Sequence, residues 1–164
     1  RWRLLIIGAG ELGRRVAQLA LTLDYAVTLC DPRPEYAADW QVEGTQFVTA
    51  SPTETVARLN PDPRTEILAL SHTPALDEAA LAAALQSDAF YDGALGSRKN
   101  QQARCKRLQQ QGLPQAALAR LHGPVGLDIG SRTPAEIAVA IIAALIAERN
   151  RGRLHATAAR SAHG

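Results

Sequence analysis

Methionine is absent from the 164-residue sequence, aromatic residues make up 4% of it, and only two cysteines occur. A core with so few rings must be aliphatic, which the 46% hydrophobic content allows, and the length fits one globular domain. Cys30 and Cys105 lie far apart, with no C-x-x-C spacing and no clustered histidine. That excludes a disulfide framework and a zinc site, reads each thiol as a small buried hydrophobe, and points to a reducing, cytoplasmic setting. Long apolar runs are missing too: the stretch Ala135–Ala147 is broken by Glu136 and is too short to span a bilayer. No signal-peptide pattern precedes the first strand. A start directly on a strand, with no initiator methionine, reads as a fragment of a longer protein.

Acidic residues are missing from one region only. Residues 149–164 hold four arginines and no acid, so the net charge of +2 hides a mildly acidic body and a basic end. Such a body does not offer a nucleic-acid-binding surface, and the end reads as a solvated, disordered tail. The expected division is a domain over 1–148 and a tail over 149–164.

What is present is alternation. Strand-like runs at Arg3–Ile7, Ala26–Cys30, Gln46–Thr49, Glu66–Leu70, Ala89–Tyr91 and Val125–Ile129 are separated by helical patterns at Glu11–Leu23, Pro52–Leu59, Ala75–Leu85, Arg98–Gln111 and Pro134–Arg149. Strands alternating with helices imply right-handed crossovers and a mostly parallel sheet covered on both faces. The expected fold is a doubly wound, three-layer α/β domain of Rossmann type. Ser51-Pro52-Thr53-Glu54 and Thr133-Pro134-Ala135-Glu136 each set a hydroxyl, a proline and a glutamate at capping-box spacing. The last helix is apolar nearly all round, so it is buried either in the core or in a homodimer interface through 134–148.

The first run feeds Gly8-Ala9-Gly10-Glu11-Leu12-Gly13, then a helix, a strand and Asp31. Glycines at this spacing serve a tight turn, close approach to a pyrophosphate and close helix–strand packing, while the helix N-terminus offers free N–H groups to an anion. Asp31 stands where a carboxylate can bond a ribose hydroxyl, and Arg33 where a guanidinium can meet a 2′-phosphate. NAD and NADP both stay open, as does a Rossmann shell without a ligand.

A second turn, Gly93-Ala94-Leu95-Gly96-Ser97, repeats that logic, with Arg98 and Lys99 at the start of the next helix. Cations are unfavourable there by about 0.3–1 kcal/mol each, and an anion in the crevice shared with Gly8–Gly13 would offset the cost. Ser97 is placed to cap that helix. Asp92, beside the turn, reads as a strand-end cap or as a gate against anions. His72, just past the fourth strand, reads as a metal ligand, an acid–base group or a hydrogen-bonding contact for the ligand, or else as a structural hydrogen-bonder. A third glycine-dense loop, Gly123–Arg132, puts Asp128 and Arg132 forward as polar contributors.

The segments LSHTPALDEAAL, YDGALGSRKN and HGPVGLDIGSRTPAEIAVAIIAALIA together resemble the C-terminal half of the XdhC/CoxI family of xanthine dehydrogenase accessory proteins. The resemblance runs from about Leu4 to Glu148, and the family's smaller N-terminal region is not represented. It implies an accessory protein without turnover of its own. Such a protein binds a molybdopterin-type molybdenum cofactor, supports its sulfuration with a cysteine desulfurase, and delivers it to a molybdenum hydroxylase such as xanthine dehydrogenase. The residues expected to hold the cofactor are then Gly8, Gly10, Gly13, Asp31, Arg33, His72, Gly93, Gly96, Ser97, Arg98, Lys99, Asp128 and Arg132. The other reading is an NAD(P)-dependent oxidoreductase. Against it, there is no Tyr-x-x-x-Lys pair, and Lys99 and Lys106 are the only lysines.

Overall fold

The computed structural model describes residues 1–163, with side chains through Arg153. Six strands form one sheet in the order β3-β2-β1-β4-β5-β6, and every pairing is parallel. The strands are β1 (Arg3–Ile7), β2 (Ala26–Cys30), β3 (Gln46–Val48), β4 (Thr65–Ala69), β5 (Tyr91–Ala94) and β6 (Leu121–His122). The helices are α1 (Glu11–Thr22), α2 (Pro34–Asp39), α3 (Pro52–Leu59), α4 (Pro74–Ala84), α5 (Arg98–Gln110), α6 (Gln115–Leu118) and α7 (Pro134–His163). The strand order reverses between β1 and β4, so the chain leaves those two strands in opposite directions and opens a crevice above their C-terminal ends.

Period-two alternation divides the core between the sheet's faces. Leu4 and Ile6 of β1 join Val16, Ala17 and Ala20 of α1 and Ile141, Ile142 and Leu145 of α7. Leu5 and Ile7 pack instead with Val56 of α3 and Ala80 and Ala84 of α4, and Ala94 of β5 packs with Leu108 of α5 and Ala117 and Leu118 of α6. Helix α7 thus buries its apolar stripe in this core, against α1.

The capping boxes differ in completeness. At α7, Glu136 N–H donates to Thr133 Oγ1 at 3.1 Å, and Glu136 Oε1 accepts from Thr133 N–H at 3.1 Å. At α3, Ser51 Oγ accepts from Glu54 N–H at 3.2 Å, but the Glu54 carboxylate turns forward to Arg58. Cys30 is buried and Cys105 half-buried, both as free thiols.

Three expectations are corrected. The strand expected at Ala89–Tyr91 lies at Tyr91–Ala94. The apolar run Val125–Ile129 is a loop, and the edge strand is the two-residue β6 before it. The segment from 149 on, expected as a disordered tail, continues α7 to His163. Its start is docked on the core, because the Arg149 guanidinium sits over the rings of Tyr25 at 5.2 Å and Trp2 at 5.5 Å. Gly164, and the tail's side chains beyond Arg153, lie outside the described residues. Among the described residues no helix is long and apolar enough to cross a membrane.

Candidate functional site

The turn after β1 is held by close packing at two of its three glycines. A Cβ on Gly8 (φ +106°) would lie 2.5 Å from Ser71 Cα, and one on Gly13 would run into the Gly8 carbonyl oxygen. Gly10 is the exception: the nearest atom to its added Cβ is Tyr36 Cε1 at 3.8 Å, so the space above it is open. Gly10 is also the N-cap of α1, where no side chain satisfies the first free N–H groups. Glu11 bends along the helix to Arg15 at 3.2 Å rather than over those groups. Glycine spacing thus delivers an uncapped helix N-terminus beside a cavity of about 540 Å³, walled by Gly10, Arg33, Tyr36, His72 and Thr73.

Asp31 closes β2 and has no exposed surface. Its Oδ2 accepts from Ala9 N–H at 2.9 Å and from Arg33 Nη2 at 2.8 Å. Its Oδ1 accepts from Arg33 N–H at 3.1 Å and from Arg33 Nε at 2.8 Å. A carboxylate has about four lone-pair sites, and four protein donors fill them. Burial alone would raise the Asp31 pKa. The bonds from the Arg33 side chain and from the Ala9 and Arg33 N–H groups reverse that and hold the carboxyl below its usual range. Arg33 is fixed on its other sides by Thr73 Oγ1 at 3.2 Å and by the Tyr36 ring at 3.9 Å. Neither residue keeps the free role expected from the sequence, as ribose acceptor or as 2′-phosphate clamp.

The second glycine turn is built differently from the first. Gly93 lies inside β5, where an added Cβ would meet Val125 Cγ2 at 2.7 Å and Tyr91 Cε1 at 2.9 Å. Its lack of a side chain admits the loop crossing the strand, whose Val125 N–H donates to the Ala94 carbonyl at 2.9 Å. Its role is packing, not approach to an anion. Gly96 does turn the chain, at φ +131°, and Ser97 caps α5 by accepting from Asn100 N–H at 3.1 Å. Arg98 and Lys99 are exposed. Asp92 is neither strand-end cap nor gate: it sits within β5, 2% exposed, with Oδ1 unpartnered. Burial pushes its pKa up to about 7, only partly countered by the charge of Arg120. Glu66 on β4 repeats this, fully buried with both oxygens unpartnered and pushed up to about 7 by desolvation.

The expected single crevice is divided into three cavities. Gly10, Arg33 and His72 line the first. His72, left-handed at φ +63°, also lines a second of about 430 Å³ with Gly96 and Asn100. Arg98 and Asp128 line a third of about 850 Å³, rimmed by the exposed side chains of Leu127 and Ile129. Lys99 and Arg132 line none of these three. The Arg132 N–H donates to Glu136 Oε1 at 2.9 Å, which makes it part of the α7 cap. Two residues of the second cavity escaped the sequence reading, Asp77 and Arg104. Both are buried, Arg104 in a helix of mostly exposed polar residues and Asp77 in the first turn of the alanine-rich α4.

With this geometry in place, comparison with known proteins is informative. The family model of the XdhC Rossmann domain matches residues 4–145. Two curated relatives are each 30% identical over 150 residues: the uncharacterized protein YqeB of Escherichia coli (strain K12) and a probable xanthine dehydrogenase subunit of Bacillus subtilis (strain 168). These alignments take in 92% and 91% of this chain but 28% and 43% of the relatives. A crystal structure of a xanthine dehydrogenase from Bacillus halodurans, 27% identical, matches with a TM-score of 0.77 over 96% of this chain and 46% of that one. A structure of chuY from Escherichia coli, 17% identical with a TM-score of 0.52, shares the fold alone. The chain spans less than half the length of the curated relatives it matches, and over that span it belongs to the XdhC Rossmann domain family.

Proposed function

We propose that this chain is the Rossmann part of an accessory protein in a xanthine dehydrogenase system, and that it holds a molybdopterin-type cofactor rather than turning over a substrate. Its client is then a molybdenum hydroxylase, with a cysteine desulfurase supplying sulfur to the cofactor. The relatives described as xanthine dehydrogenase components support the system.

The observation that carries the choice over a nicotinamide enzyme is the saturation of Asp31. An adenosine ribose needs a free carboxylate at the end of β2, and here four protein N–H groups occupy it. A terminal phosphate needs only what the turn after β1 leaves open, the uncapped N-terminus of α1 above Gly10. The phosphate of the cofactor fits that place, with Arg33 and His72 as flanking side chains. The cofactor brings its metal–dithiolene redox chemistry to the client. The residues here bind and orient it.

Equilibrium titration of the chain with inorganic pyrophosphate, NADH, NADPH and isolated molybdopterin tests this reading. Molybdopterin and pyrophosphate are expected to bind competitively. NADH is expected to bind measurably only to Arg33→Ala, which frees Asp31, and NADPH to neither chain, because the freed carboxylate repels its 2′-phosphate. Micromolar binding of NADH or NADPH by the unmodified chain, with hydride transfer to a carbonyl compound, overturns it.

A further inference from the structure

The second cavity, between α4 and α5 at the same edge of the sheet, brings together a buried acid and a buried base that do not pair. Asp77 is 2% exposed and Arg104 is 8% exposed, and both line the cavity of about 430 Å³. Asp77 Oδ1 accepts from Ser71 N–H at 3.1 Å and from Ser71 Oγ at 2.6 Å. Its Oδ2 has no hydrogen-bond partner among the described residues. Arg104 Nη1 donates to the Leu95 carbonyl at 3.0 Å and to Gln101 Oε1 at 2.9 Å, while its buried Nε has none. Arg104 is near enough for its charge to act on Asp77, yet no ion pair joins them among the described residues. A buried ionic group without its partner costs several kcal/mol, on the order of what breaking a buried pair costs. Two such groups facing one cavity are accounted for by something that sits between them.

The chemistry of the two groups restricts what that is. A carboxylate only accepts and a guanidinium only donates. An anion satisfies Arg104 but is repelled by Asp77, and a cation does the reverse. Arg107 does not tip the balance, because Glu78 neutralises it at 2.6 Å. The match is an uncharged edge with N–H donors next to a carbonyl acceptor. Planar heterocycles carrying a cyclic amide beside an exocyclic amino group present such an edge.

We propose that the cavity between α4 and α5 binds the 2-amino-4-oxopyrimidine edge of a pterin or guanine ring, with Asp77 accepting from its ring N–H and amino group and Arg104 donating to its carbonyl oxygen. Read as a pterin subsite, it rests on the proposed function and extends it. His72 lines both this cavity and the one above Gly10, so ring and phosphate subsites adjoin.

Calorimetric titration of the full chain with neopterin, guanosine, lumazine and adenosine tests the site. Lumazine keeps the ring but exchanges the amino group for a carbonyl, and adenosine lacks the amide edge. Neopterin or guanosine is expected to bind, with lumazine and adenosine at least tenfold weaker. Asp77→Asn and Arg104→Lys are each expected to weaken binding at least tenfold, with circular dichroism and melting temperature retained. Should Asp77→Asn fail to fold, Arg104→Lys alone decides. Failure of both neopterin and guanosine to bind at millimolar concentration, or equal affinity in unmodified chain and variants, overturns the proposal. Guanosine binding without neopterin binding supports the edge chemistry and removes the link to the molybdenum cofactor. Undiminished binding of isolated molybdopterin by Arg104→Lys overturns the subsite while the proposed function stands.

Discussion

In the half of the sheet built from β1 to β3, the buried aspartate is Asp31, and four N–H donors converge on it. In the half built from β4 to β6 it is Asp92, whose Oδ1 meets none. The glycine turns diverge in the same way. After β1, two glycines lock the turn against backbone and the third leaves a helix N-terminus open. Around β5, one glycine lies within the strand and the helix that follows is closed by Ser97. Similar residue types therefore leave an open helix N-terminus in one half and make a packing solution in the other. The teaching is that glycine spacing reports a close approach without saying what approaches: at Gly8 and Gly13 it is backbone, at Gly93 the Val125 side chain.

The sharpest way to break that contrast is at the glycines. Gly13→Ala forces a Cβ into the Gly8 carbonyl, which cannot move without unmaking the turn. The expected loss is about 4 kcal/mol or more, up to failure to fold. Gly93→Ala meets side-chain atoms that can shift, and the expected loss is about 1–3 kcal/mol. Urea unfolding of both variants measures the difference, and equal losses would remove the distinction between backbone and side-chain approach.

The two aspartates should respond oppositely to pH. Asp92 has a folded-state pKa of about 7 against an ordinary 3.8, so the folded state holds its proton longer than the unfolded one. Its cost is absent below about 3.8, grows as pH rises toward 7, and is complete above that. Glu66 acts with the same sign. Asp31, held below its usual range, contributes stability above pH 3.8 that is lost only as pH falls further. Unfolding free energy is thus expected to fall as pH rises from about 4 to about 7. Asp92→Val should flatten that fall and be more stable than the unmodified chain at pH 8 by roughly 2–3 kcal/mol. An unchanged slope in the variant would show that Asp92 finds a partner in solution.

The smallest effects are expected at the two helix starts. Ser97→Ala removes the cap of α5 and should cost about 1 kcal/mol. Gly10→Ser supplies α1 with the cap it lacks, which should change stability by only about a few tenths of a kcal/mol. It should also weaken the pyrophosphate binding expected under the proposed function, because the hydroxyl then takes the N–H groups assigned there to the anion.

The first half of the molecule was the more legible. Arg3–Ile7, Ala26–Cys30 and Pro52–Leu59 fall where hydrophobic period and capping residues put them, because these signals are local. Around β5 the local signals mislead. A glycine within a strand reads as a turn, and the run Val125–Ile129 reads as a strand although Leu127 and Ile129 are exposed. The short helices Pro34–Asp39 and Gln115–Leu118 span too few residues to display a period. Of the site, Gly10, Arg33 and His72 were legible from the turn and the strand ends. Asp77 and Arg104 were not: an acid in a helix's first turn reads as a partner of the helix dipole, and nothing in the polar run of α5 marks Arg104 as the one the fold buries. Asp31 was placed correctly and its role misjudged, because its occupancy depends on the rotamer of a neighbour two residues away.

That neighbour makes the crevice selective by occupancy rather than by shape. An adenine dinucleotide that brings a ribose 2′-hydroxyl to the end of β2 must first strip Arg33 from Asp31, breaking charge-assisted bonds worth about 1.5–3 kcal/mol each. The threshold is the same for NAD and flavin dinucleotides, whose adenosine ribose keeps its 2′-hydroxyl, and it lies outside the proposed phosphate site above Gly10. An internal ion pair here does what a missing pocket would do elsewhere, and a single substitution at Arg33 would return the fold to its commoner clientele.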